Sequence, residues 1–131
     1  MINLTLIDNP DHIYDFKWKN RILIIKVDKK IDFSAKINSY IKKFDERNFI
    51  IVYLKNQNTY IKNKEMPKHF SESILNKIKN TNSDHNFILI GKDGKVKNSY
   101  SSQIEIEEIF FDVDKMPMRR YEMKTRENIN D

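Results

Sequence analysis

No cysteine occurs among the 131 residues. Disulfides, thiol nucleophiles, cysteine-ligated zinc and haem attachment through cysteine are excluded with it. There are only two glycines and three prolines, too few for a glycine-rich phosphate loop, a collagen-like repeat or a disordered composition. No apolar run approaches the ~20 residues of a membrane span. The start, "MINLTLIDNPDH", lacks the basic residues and apolar stretch of a leader peptide. The chain as it stands is expected in the cytoplasm, with no membrane contact. A chain already relieved of a leader reads the same way and would be exported.

What is present suits one globular domain. Hydrophobic residues make up 39%, aromatics 11% and charged residues 33%. A chain of this length buries about two-thirds of its unfolded surface. The balance of 24 Lys and Arg against 19 Asp and Glu leaves +5. That permits contact with nucleic acid or another anionic surface, but the bases are scattered and mixed with acids, the pattern of a solvated surface.

Hydrophobic periodicity sets the elements. "INLTLID" alternates Ile2, Leu4 and Leu6 as a half-buried strand does. Asn9 and Pro10 then suit the cap and first position of a short helical turn, with Asp11 in its first turn, packing Ile13, Phe16 and Trp18. "RILIIKVD" reads as a strand covered on both faces. Asp32 is placed to cap a helix that buries Phe33, Ile37, Ile41 and Phe44, with Tyr40 widening the stripe. "FIIVYLK" is a second buried strand, and Asn56 to Phe70 reads as a long polar loop. Ser71 then caps a short helix burying Ile74, Leu75 and Ile78.

"FILIGKDGKVKNSYS" reads as a hairpin turning at Asp93-Gly94. Ser102 and Glu105 have capping-box spacing before the stripe Ile106, Ile109, Phe110, Val113. Pro117 ends that helix at Met116. Residues 1–123 thus form one domain, and 124–131 a polar tail expected to fray. The order β, short α, β, α, β, α, β-hairpin, α predicts an α/β fold of thioredoxin-like type. Its parts are a central mixed sheet with a C-terminal β-hairpin and flanking helices, the first buried strands being parallel.

The blocks "RILIIKV", "ERNFIIVYL", "FILIGKDGKVK" and "IFFDVDKMPMRRYEM" resemble the peroxiredoxin-like family known as domain of unknown function 4174. The resemblance runs from about Trp18 to Met123, and Asp114 to Glu122 is its most specific part. Related domains occur in some extracellular sushi-repeat and coiled-coil proteins. The resemblance implies a thioredoxin fold without an established activity. Active members of that fold carry a nucleophilic cysteine between the first central strand and the next helix, where the helix end lowers the thiol pKa. Here that place reads "VDKKIDFSAKI", and Asn86 precedes Phe87 where a cis-proline would be expected.

Two groups of residues are candidate sites. Lys29, Lys30, Asp32 and Ser34 occupy the place of the redox loop. Free N–H groups at a helix start, with two lysines, suit a phosphate or carboxylate; equally, Asp32 caps the helix and fills that position. Ser34 has no neighbouring histidine to activate it. Arg119, Arg120 and Glu122 lie in "DKMPMRRYEM". Either they bind an acidic partner through bidentate pairs, or the block is a structural clip that pairs with the domain's own acids or with helix-end carbonyls. In either case Met116 and Met118 are expected to pack on the sheet.

His12, His69 and His85 are isolated, and Asp112 and Asp114 fall on different faces, so no metal is expected, nor any other cofactor. "KWKNR", "KVDKK" and "KNKEMPKHF" mix bases with aromatics as single-strand binders do, yet Trp18 and Phe70 are better read as core. The expectation is a cysteine-free, non-redox binding or interaction module for a protein or a small anionic ligand. A basic nucleic-acid-associated protein is the less favoured alternative. An enzyme built on Lys29, Lys30, Asp32 and Arg119 comes third.

Overall fold

β1 (Arg21–Lys26) is the hub of the computed structural model, which describes residues 10–130. Its side chains alternate between two cores. Leu23 and Ile25 enter one with Phe33, Ile37, Phe44, Phe49, Phe87 and Leu89. Ile22 and Ile24 enter the other with Ile13, Phe16, Val52, Phe70, Ile74 and Ile88. A strand buried on both faces must be apolar throughout, which explains the unbroken Ile-Leu run. The expected first strand around Ile2, Leu4 and Leu6, and the cap at Asn9, lie outside the described residues.

β2 (Phe49–Lys55) pairs parallel with β1, Ile24 opposite Val52. On the other side β5 (Phe87–Ile90) runs antiparallel, Ile24 opposite Ile88. β6 (Val96–Tyr100) returns antiparallel to β5 with a register shift at Leu89 and Ile90. The order β2-β1-β5-β6, with β5 alone reversed, is the thioredoxin-like arrangement predicted from the element order. Helices α1 (Ser34–Asn38), α2 (Ile41–Glu46) and α4 (Ile106–Asp114) supply the core on one face, and α3 (Lys68–Ile78) covers the other.

Several local expectations are corrected. The segment 56–65 is no loop: β3 (Asn58–Ile61) and β4 (Lys64–Glu65) extend the sheet beyond β2. Two tight turns make this possible, with positive φ at Asn56, Gln57, Lys62 and Asn63. Paired positive φ values are what a two-residue hairpin requires. No glycine marks either turn, which hid them. The helix expected from Asp32 breaks at Ser39 and Tyr40, and Ile41 is left exposed. Ser71 does not cap α3; it lies inside it, buried, with its hydroxyl against that of Thr59 at 2.7 Å. Ser102 makes no box: Glu105 occupies the cap of α4 without a side-chain bond.

The first helical turn begins later than expected, as a 3-10 turn at Ile13–Phe16 capped by His12 and Asp15. Pro117 does end α4, whose last residue is Asp114, but it also opens α5 (Pro117–Asn130). Proline fits there because a first helical position leaves its N–H unused anyway. The sequence reading ended the domain at Met123, whereas α5 carries the helix to Asn130. Met116 packs against the core as expected, while Met118 is 39% exposed. Among the described residues no helix is long and apolar enough to cross a membrane.

Candidate functional site

Beyond the C-terminal ends of β1 and β2 lies a cleft of about 850 Å³, within the size range of ligand pockets. The loop after β1 forms one wall. It is tied down by its own side chains: Asp28 Oδ1 accepts the N–H of Lys30 at 2.8 Å. Asp32 Oδ1 accepts both the N–H of Ser34 at 2.9 Å and its hydroxyl at 2.7 Å. The other wall is Tyr53 and Lys55 of β2, Tyr60 of β3 and the turn residues Asn56 and Asn63. The hairpins that were invisible in sequence therefore add Asn56, Tyr60 and Asn63 to this wall.

Lys29, Lys30, Asp32 and Ser34 all line this cleft. Asp32 Oδ1 takes one donor at the start of α1, the Ser34 N–H, but the expected Asp32 cap is corrected: Phe33 holds the cap position without a side-chain bond, and α1 has only five residues. The positive charge of the cleft comes from the ammonium groups of Lys29, Lys30 and Lys55. Among the described residues, Lys29, Lys30 and Lys55 make no ion pair. The Ser34 hydroxyl and N–H hold the Asp32 carboxyl below its usual range. A carboxylate so stabilised is a weak base, which leaves Ser34 without an activating partner. Burial, then the Asp32 charge, pushes the Tyr53 phenol up, so it stays a neutral donor.

Arg119 and Glu122 lie elsewhere. β1 has six residues, which at about 3.3 Å each put roughly 20 Å between its two ends. The terminal block sits at the Arg21 end, away from the cleft. Arg21 is 1% exposed and reaches Glu122 at 3.1 Å, while Lys92 donates to the same carboxylate at 2.7 Å. Arg119 donates to Asp114 at 3.2 Å and to the Glu46 carbonyl at 3.2 Å. Arg47 grips Asp114 with two bonds, at 3.0 and 2.9 Å.

Carbonyls of Glu46, Arg47 and Lys43, at the end of α2, take further guanidinium N–H groups. Cations at a helix C-terminus complement its dipole. This is the geometry of a clip joining α5 to α2, β1 and the turn before β6. Of the three residues proposed in the block, Arg119 and Glu122 are engaged within the domain and Arg120 is exposed. Arg21, Arg47 and Lys92 went unrecognised because each lies far from the block in sequence, whereas Asp114 opens the block itself.

A third feature reverses an expectation. Phe70 is core, but Trp18 is 61% exposed. It follows the 3-10 turn at φ 68°, with Lys19 and Asn20 both donating to the Phe16 carbonyl. That left-handed position usually falls to glycine or asparagine and costs a bulky residue about 1–3 kcal/mol. The Trp18 N–H is held by the Lys92 carbonyl at 2.6 Å. Tyr14, in the same turn, is 51% exposed. Lys17 Nζ stands 5.8 Å from the Tyr14 ring and 5.5 Å from the indole, and Lys77 Nζ 4.7 Å from Tyr14. Gly94, at φ 82°, lets the hairpin turn come close: a Cβ there would meet Tyr14 at 3.3 Å.

A solved structure described as "Crystal structure of Trgpx in apo form" is similar to this chain at 20% identity, over 75% of this chain and 80% of that one, with a TM-score of 0.46. Residues 12–122 match the family described as "Domain of unknown function (DUF4174)". That match takes in the wall Val27–Ser34, the β2–β4 wall and the clip through Glu122, and the chain belongs to this family.

Proposed function

We propose that the domain is a non-redox binding module that receives a carboxylate- or phosphate-bearing ligand in the cleft between the loop Asp28–Ser34 and the β2–β4 wall. The single observation behind this reading is the set of Lys29, Lys30 and Lys55 around one cleft without ion-pair partners among the described residues. The acids beside them are occupied: Asp28 and Asp32 bond to backbone N–H groups of their own loop. Tyr53, Tyr60, Asn56 and Asn63 add hydroxyl and amide donors. The absence of cysteine removes the thiol on which the redox chemistry of this fold depends.

The test is a two-dimensional NMR titration with hexa-aspartate and, separately, inorganic phosphate. Saturable shifts confined to residues 27–34 and 53–63, lost in Lys29→Glu/Lys30→Glu, are expected. The two probes distinguish a peptide carboxylate from a free phosphate. Shifts scattered over the surface, or none, would sink the reading. So would thiol-independent turnover of hydrogen peroxide by the purified protein.

A further inference from the structure

At the opposite end of the sheet from the cleft, we infer that Tyr14, Lys17, Trp18 and Lys77 form a stacking site for single-stranded nucleic acid. The proposal is independent of the cleft. Three segments that are distant in sequence meet to make it: the 3-10 turn with Lys17 and Trp18, the end of α3 with Lys77, and the hairpin turn with Gly94. They hold two rings largely open to solvent, at 51% and 61%. An aromatic face stacks on any base, and a neighbouring ammonium group meets the phosphate that joins it to the next.

The cations stand where that requires. Lys17 Nζ is within 5.8 Å of both ring centroids, and Lys77 Nζ donates to the Tyr14 hydroxyl at 3.0 Å. Lys19 and Lys95, in the adjoining turns, are further exposed bases. Asp11 is an exposed acid at the edge of this surface, but Asp15 and Asp93 are turned to internal work. Asp15 accepts the N–H groups of Asp11 and His12, and Asp93 holds Lys97 at 2.7 Å. Residues 12–19 expose the rings of Tyr14 and Trp18, with the exposed His12 ring 4.9 Å from Tyr14, and no large aliphatic side chain. That surface suits flat bases better than an apolar helix or a lipid tail. Duplexes keep their bases stacked and present no free faces, so the occupant is single-stranded.

Trp18 is the only tryptophan, so its fluorescence reports this site alone. The experiment titrates the intact protein with oligothymidylate and oligouridylate at low salt. Expected are saturable quenching of Trp18 and an affinity that falls with salt, with a log–log slope smaller by about 0.7 for each of Lys17→Ala and Lys77→Ala. In anisotropy with a labelled oligonucleotide, Trp18→Ala and Tyr14→Ala each weaken binding roughly 5- to 150-fold, the range for one lost stacking partner. Lys29→Glu/Lys30→Glu, in the remote cleft, leaves it unchanged.

Unaltered urea midpoints for the variants show that the loss is not unfolding. Absence of quenching overturns the proposal. So does binding of duplex as tight as of single strand, or binding that ignores Trp18→Ala. A blue shift with phosphatidylserine vesicles and no response to oligonucleotides would replace it with a membrane surface.

Discussion

Trp18 and Phe70 illustrate what a single residue's environment decides. Both are flanked by polar residues, Lys17 and Lys19 or His69 and Ser71, and both read as core. Phe70 is fully buried on α3 and meets Phe16 edge to face at 6.1 Å. Trp18 occupies a left-handed turn position that leaves the indole outside. Their replacements should therefore differ. Phe70→Ala should cost about 3–5 kcal/mol in urea unfolding, the usual loss for a buried aromatic. Trp18→Ala should change stability by less than about 1 kcal/mol, as an exposed position does. No periodicity separates the two residues, because the difference lies in one φ angle set by how the chain turns into β1.

At the scale of elements, the missed hairpins are instructive. The stretch "KNQNTYIKNKE" has no glycine and few apolar residues, so it carries neither a turn pair nor a buried-strand pattern. Its strands form because β2 offers an open edge, Tyr53 opposite Tyr60 and Leu54 opposite Thr59. Gln57 pays for that turn with φ 72°. Gln57→Gly would create an Asn-Gly turn, the favoured pair for two positive φ values. It should raise stability by about 0.5–1 kcal/mol, measured as a higher urea midpoint with an unchanged slope. α4 was legible for the opposite reason: Ile106, Ile109, Phe110 and Val113 recur at helical spacing and all four are buried.

For the whole molecule, the clip makes stability depend on acid. Burial works against ionisation of Glu122, but hydrogen bonds from Lys92 and Arg21 outweigh it and hold the carboxyl below its usual range. Asp114 is likewise penalised by burial and held low by Arg47 and Arg119. The folded state thus binds each proton more weakly than the unfolded chain. The stabilisation is complete above the unfolded carboxyl range of about 4 and is lost as pH falls through the lower folded values. Glu122→Gln should lower stability by roughly 2 kcal/mol at neutral pH. That is less than the about 3–5 of a fully buried pair, since solvent reaches this carboxylate. The gap from wild type should close as the pH falls, read from urea midpoints between neutral and acid conditions.

By itself the sequence determined the covered strands, their parallel and hairpin connections, the α4 stripe and the lack of any thiol. These are local properties: alternation, helical spacing, a turn pair, a missing residue type. It brought Lys29, Lys30, Asp32 and Ser34 together because they are neighbours in one loop. Only the tertiary structure decided that β3 completes their cleft and that Glu122 answers Arg21. Only it placed the terminal arginines at the other end of β1 and left Trp18 outside. Those outcomes join residues up to 101 positions apart, through strand edges and charges that gain their partners only when the sheet and its helices have packed.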